Sequence, residues 1–353
     1  MRGEERGRVT PPTTDTTSLL EYLRAEVRAP TLAFAEVPGA ISGGYDTRIF
    51  SFRLTGAPPA WSGPLILRVL SPKHDPARAL RERATQNAVA GLGYPAPRVL
   101  SVCAAREPLG AAFLVMERAA GRPLLDAQRL GVSRLLAESH ARLHALDPEP
   151  LLRALDAEGR AADGAFDRET VGYGAHLAAL DRRIRKGPLG GLSKGMAWLL
   201  ARAPTVSRWA ICHGDFHPQN LLVEHGRLAA VLDWPNLVVA EPEYDVASTR
   251  VILTCTPIEL AAPPALRPLV TVLRPIMVAR YLARYRRLAR LDPARLPPYE
   301  AAACMRGLVR VAEVRTAGSP EISPLDASSF GERLAARFAA ITGVAVTLPP
   351  RPR

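Results

Sequence analysis

The sequence predicts an α+β chain in two parts, a small antiparallel-sheet part followed by a larger, mainly helical one. Three observations carry this. From Val37 to Glu117 the pattern is mostly strand-like, and after Gly121-Arg-Pro123 apolar residues recur at helical spacing for most of the remaining length. Within that helical stretch, one island of short strands runs from Trp209 to Asp233.

The elements follow in order. Met1 to Thr17 is charged and then Thr/Pro-rich, with no apolar stretch, so it reads as a loose tail and neither a signal peptide nor an anchor. The small part is expected at 18–117 and the large part at 118–353. Arg48 to Leu54 alternates polar and apolar residues, while Leu65 to Leu70 and Ala112 to Glu117 are short apolar runs. Between them Asp75 can cap a helix that has Pro76 at its first position and runs from Ala77 to Leu92, stopped by Gly91-Leu-Gly93. Val132, Leu135, Leu136, Leu143 and Leu146 give a second helix, ended by Asp147-Pro148. In the island, Asn220 to Val223 and Leu228 to Asp233 read as a hairpin across Glu224 to Arg227, preceded by a strand at Trp209 to His213.

Composition narrows the function. The 353 residues are 48% hydrophobic, enough for a large core, and no run of about 18 apolar residues predicts a membrane span. Cys103, Cys212, Cys255 and Cys304 stand far apart without a Cys-x-x-Cys pair, as expected of reduced thiols in a cytoplasmic protein. The formal net charge is +12, but lysine occurs only at Lys73, Lys186 and Lys194. Arginine supplies the rest, which looks like coding bias, so nucleic acid is not expected as a partner.

The chemistry concentrates in His213-Gly-Asp-Phe-His-Pro-Gln-Asn220, followed after the hairpin by Asp233-Trp234. A hairpin returns the chain to its start, so Asn220 at its entry and Asp233 at its exit should meet near the loop that holds Asp215. Two carboxylates and an amide oxygen are hard ligands suited to Mg²⁺, with one carboxylate left over as a base. Phosphoryl transfer needs those parts. This pattern resembles the protein-kinase-like fold, and its form H-G-D-x-H-x-x-N with D-W is similar to the aminoglycoside phosphotransferase superfamily, which includes choline, homoserine and fructosamine kinases. The resemblance covers roughly residues 35 to 250. It implies a two-lobed ATP-dependent small-molecule kinase with Asp215 as the base and Asn220 and Asp233 holding Mg²⁺. His213 would complete the catalytic loop as a brace, with Asp245 anchoring it from below.

The resemblance extends to nucleotide binding. Ser42, Gly43 and Gly44 stand where a phosphate-covering loop belongs, although they would equally make a hairpin turn. Kinase-like folds set a cation on the third strand against a helix carboxylate, and here Arg68 and Glu82 occupy those places. Arg68 is favoured over Lys73, which lies beyond Ser71-Pro72 where the strand should have ended. Met116 and Glu117 lead into the link that holds adenine in the family, and Leu222 matches the apolar floor under the base. Met116 and Leu222 would serve any core as well. A kinase-like nucleotide binder without catalysis is the alternative, since arginine replaces the usual lysine.

Two further patterns invite other readings. His140 and His144 stand one helical turn apart, as in a zinc pair, but no third ligand is evident and packing or bracing is expected. His213-Gly-Asp215 also matches the start of an iron-binding triad, which would leave Asn220 and Asp233 unexplained. Residues 246–353 carry 16 Arg, no Lys and 7 Asp plus Glu. That balance argues against a polycationic acceptor, whose charges need carboxylate partners. Arg280, Arg284 and Arg287 recur at helical spacing and could face an anion or only solvent, with Tyr281 and Tyr285 facing the core.

Overall fold

The computed structural model describes residues 15–41, 47–127, 131–257, 264–316 and 329–351. Among them the chain divides into two compact units, Met1–Ala90 with Pro97–Ala119, and Gly91–Ala96 with Ala120–Arg353.

The small unit begins with α1 (Thr16–Val27), capped by Asp15, whose carboxylate accepts from the Thr17 and Ser18 N–H groups. That cap starts the helix inside the stretch expected to be tail. The sheet has the order β1 (Ala33–Ala40), β2 (Thr47–Thr55), β3 (Leu65–Leu70), β5 (Phe113–Glu117) and β4 (Val99–Cys103), every pairing antiparallel. β1 is an edge strand, which is why it tolerates Pro38 and two register shifts. α2 (Ala77–Gly91) is capped by Asp75, which accepts the Ala77 N–H at 2.9 Å.

The period of two explains why β3 and β5 read as unbroken apolar runs: both faces are covered. Leu65, Leu67, Val69, Phe113 and Val115 join Leu19 and Leu23 in one core. Leu114, Met116 and Leu70 pack with Ala79 of α2 in the other. Arg68 alternates onto that second face, so its neighbour is α2.

The large unit is mostly helical: α3 (Leu124–Ala127), α4 (Val132–His144), α5 (Glu149–Ala161), α6 (Tyr173–Lys186), α7 (Ser193–Ala201), α8 (Pro242–Cys255), α9 (Arg267–Leu288), α10 (Leu296–Thr316) and α11 (Phe330–Thr342). α10 is buried along most of its length and packs on α8 and α11, while α4 packs on α9. The strand island forms two small antiparallel sheets, β6 (Arg122–Pro123) with β8 (Leu221–Glu224) and β9 (Arg227–Val231), and β7 (Ala210–Cys212) with β10 (Val238–Ala240). β10 is too short for its pattern to be seen in the sequence. The Gly91–Ala96 segment is held here by the Tyr94 hydroxyl on the Ser139 carbonyl (2.9 Å) and the Val231 N–H on the Pro95 carbonyl (2.7 Å).

All four cysteines are buried and free. Among the described residues no helix is long and apolar enough to cross a membrane.

Candidate active site

The loop after β7 is fixed by main-chain contacts. Gly214 sits at φ +77°, and a Cβ there would lie 2.3 Å from the Asn236 carbonyl, so only glycine fits the turn. The His213 N–H donates to Asp245 Oδ2 at 2.5 Å and the Gly214 N–H to Oδ1 at 2.8 Å. The fully buried His213 ring donates from Nε2 to the Leu232 carbonyl (2.9 Å) and accepts the Asp215 N–H at Nδ1 (3.2 Å). Burial lowers its pKa, which favours the neutral ring that this pattern needs. With both nitrogens engaged by main chain, His213 positions the loop and does not act on a ligand itself. The same geometry removes the iron reading, because neither nitrogen is available to a metal.

Asn220 joins the loop to the hairpin exit. Its Nδ2 donates to the Asp215 carbonyl at 2.9 Å, and its own carbonyl accepts the Leu232 N–H at 2.8 Å. Asp215, Asn220 and the residue before Asp233 are thereby linked by two hydrogen bonds, as the hairpin argument expects. Asp233 stands at φ +67°, a conformation costly to most side chains but tolerated by Asp. The amide nitrogen of Asn220 being spent, its Oδ1 is the atom suited to a hard cation, and with the Asp233 carboxylate it forms a donor set that fits Mg²⁺.

Asp215 keeps a side-chain exposure of 25%, enough to meet a ligand. Burial pushes its carboxyl up, but the neighbouring His217 and the Arg306 guanidinium outweigh that and hold it well below the usual carboxylate range. His217 Nε2 lies 3.8 Å from Asp215 Oδ2. An ionised Asp215 is suited to orienting a hydroxyl and accepting its proton late in transfer. His217 was visible in the motif without an assigned role. Arg306 lies on α10 and has no signal in the sequence near the loop.

Beneath the loop, Asp245 accepts hydrogen bonds from the His213 and Gly214 N–H groups and from His144 Nε2, with His140 Nε2 close by. Besides the two main-chain groups, His144 Nε2 lies 3.3 Å and His140 Nε2 2.9 Å from Oδ2. Each imidazole holds a tyrosine hydroxyl at Nδ1: Tyr281 with His140 at 2.8 Å and Tyr285 with His144 at 2.6 Å. Asp245, expected only as the anchor of the loop, is the third group beside the two histidines, and the three ligand-capable atoms lie within 4.8 Å of one another. With a hydroxyl at each Nδ1 and the carboxylate at each Nε2, they have the contacts of a hydrogen-bonded brace. Burial opposes the charge on Asp245, yet the two histidines hold its carboxyl well below the ordinary value.

In the small unit Arg68 Nη1 meets Glu82 Oε1 at 2.5 Å, with side-chain exposures of 12% and 1%. Lys73 is exposed beyond the end of β3. Met116 is buried on β5, where its sulfur faces Gln86 Nε2 at 3.8 Å. The Glu117 N–H is already donated to the Arg98 carbonyl (3.0 Å). Leu222 is buried on β8 in the large unit, paired with Ala230 and Pro123. Ser42, Gly43 and Gly44 lie outside the described residues. Of the α9 arginines, Arg284 is paired with Glu138 at 2.6 Å, while Arg280 and Arg287 are exposed.

A small antiparallel-sheet unit, a mainly helical unit and this loop define a protein-kinase-like phosphotransferase. A family model described as "Phosphotransferase enzyme family" matches residues 39–299, and the chain belongs to that family. Among solved structures it is similar to a Ralstonia eutropha JMP134 chain assigned as an aminoglycoside phosphotransferase (TM-score 0.59, 19% identity, 95% of this chain and 100% of that one). It is also similar to a thermostable variant of aminoglycoside phosphotransferase APH(4)-Ia in ternary complex with AMP-PNP and hygromycin B (TM-score 0.55, 20% identity, 93% and 100%). Among curated proteins it is 26% identical over 180 residues to human (Homo sapiens) acyl-CoA dehydrogenase family member 11, and 28% identical over 178 residues to that of Rattus norvegicus. Each match takes in 47% of this chain and only 22% of the relative's length.

Proposed function

We propose that this chain is an ATP- and Mg²⁺-dependent phosphotransferase that moves the γ-phosphoryl group to a hydroxyl of a small molecule. The observation that carries this is the hydrogen-bonded linkage of Asp215, Asn220 and the Asp233 turn on a loop braced by Asp245. Asp215 orients the acceptor hydroxyl and takes its proton as the new P–O bond forms. Asn220 and Asp233 hold Mg²⁺, whose chemistry when bound is to neutralise phosphate charge. Arg68, set by Glu82, steadies the triphosphate as a planar fork in place of an ammonium. The AMP-PNP held by the similar APH(4)-Ia structure supports ATP as the donor.

The acceptor is read as something other than an aminoglycoside. The Arg-rich 246–353 segment supports this, and the curated relatives take their name from acyl-CoA chemistry. Screening hydroxylated compounds with Mg²⁺-ATP and an ADP-release readout tests the assignment: Asp215→Asn should abolish transfer to any acceptor found. Turnover undiminished in that variant would rule the mechanism out. Mg²⁺-dependent turnover in the native chain disposes of a binding-only role.

A further inference from the structure

The large unit holds two buried polar atoms without a hydrogen-bond partner among the described residues, on Arg306 and Tyr173. Arg306 on α10 packs against the catalytic turn, and a Cβ at Gly214 would lie 3.2 Å from its Nη1. That nitrogen is buried and has no hydrogen-bond partner among the described residues. No ion pair forms on Arg306 among them either. The hydroxyl of Tyr173, at the first position of α6, is likewise buried and unpartnered among the described residues.

These two donors share their neighbours. The Tyr173 ring stacks on His176 (centroids 6.5 Å apart) and meets Tyr244 edge-on (5.6 Å). His176 Nε2 lies 3.5 Å from the Tyr244 hydroxyl. The Arg306 charge reaches both His176 and Tyr244, and burial together with the Arg306 and Arg183 guanidinium groups keeps His176 neutral. A buried donor without an acceptor is uncommon because it forfeits its hydration for nothing. Two of them around one histidine, one being a guanidinium, make a seat whose missing partner is an anion with more than one acceptor atom.

We propose that Arg306, with Tyr173 and His176, seats a carboxylate of the phosphate acceptor, so that the acceptor is a hydroxycarboxylate whose hydroxyl reaches Asp215; this rests on the phosphotransfer reading above. The acceptor oxygen forms a bond to the γ-phosphorus, and the bond from that phosphorus to the β,γ-bridging oxygen breaks. ADP leaves with the electron pair, and the hydroxyl proton passes to Asp215. The carboxylate stays unchanged and serves as the handle. An ammonium-bearing acceptor would set like charge against Arg306 instead, in keeping with the basic balance of the 246–353 segment.

The probe is a series of linear hydroxycarboxylates with their matched primary amides, which keep the hydroxyl and lose the charge. Members long enough to span seat and base should raise the melting temperature saturably without nucleotide, and should release ADP with Mg²⁺-ATP, while their amides do neither. Arg306→Gln should raise KM for the carboxylate about 10- to 100-fold, with KM for ATP unchanged. Arg306→Lys keeps the charge but not the fork and should fall between. The proposal is overturned if amides perform as well as carboxylates, if no hydroxycarboxylate shifts the melting temperature, or if Arg306→Gln lowers kcat alone. Asp215→Asn separates the two levels: it should retain the carboxylate melting shift and lose ADP release. Retained release there would count against the phosphotransfer mechanism and leave the carboxylate seat standing.

Discussion

Asp245 Oδ2 accepts the main-chain N–H of His213 at 2.5 Å, tying α8 to the loop that carries Asp215. The same carboxylate takes the Gly214 N–H and faces two imidazoles of α4, so its charge is matched only while these groups converge. Asp245→Asn turns one acceptor atom into a donor among donors. Loss of about 3 kcal/mol or more is expected in urea unfolding, with turnover lost while the chain is still folded.

His140 makes stability depend on pH in a defined window. Burial, with the neighbouring His144, lowers its pKa from 6.5 to about 4 despite the pull of Asp245. Below pH 6.5 the unfolded chain therefore binds a proton that the folded chain refuses, so stability falls from pH 6.5 towards 4. Chemical unfolding across that range should show His140→Gln with a slope shallower by up to one proton, about 1.4 kcal/mol per pH unit. An unchanged slope would mean that the ring is protonated in the folded state.

Arg68 and Glu82 should be separable by substitution. Arg68→Met leaves the Glu82 carboxylate buried at 1% exposure without its paired cation, and a loss of about 3 kcal/mol is expected. Replacing both by apolar residues of similar volume should recover most of that stability and none of the ATP affinity. Thermal unfolding with and without Mg²⁺-ATP reads both effects.

Gly214 is expected to reject every side chain. Its φ of +77° and the 2.3 Å approach of the Asn236 carbonyl make Gly214→Ala destabilising by about 2 kcal/mol or more, and the shifted turn should cost activity in every folded molecule.

Asp233 pairs a strained backbone with the proposed metal role. Asp233→Gly should be more stable than Asp233→Ala by about 0.5–1 kcal/mol, because glycine relaxes at φ +67°. Both should lose Mg²⁺-dependent ADP release. If either kept it, the metal would be held elsewhere.

Local patterning determined much of this molecule from sequence. The alternation in β2, the Asp75 cap of α2 and the Asn220-to-Asp233 hairpin are short-range features whose residues are close in the chain, so their geometry could be read directly. The pairing of Arg68 with Glu82 was also legible, because strand periodicity and family likeness assign both faces. Family likeness named Asp245 as the anchor under the loop, but tertiary structure alone decided what else gathers there. Asp245, His140, His144, Tyr281 and Tyr285 come from three helices, and Arg306 from a fourth. No periodicity encodes which helix faces meet, since side-chain packing across the core selects them. That packing turned two histidines spaced like a metal pair into a brace and spent both nitrogens of His213 on the backbone. It also set a guanidinium with one buried nitrogen near Asp215, a placement that the basic composition could not single out among so many arginines.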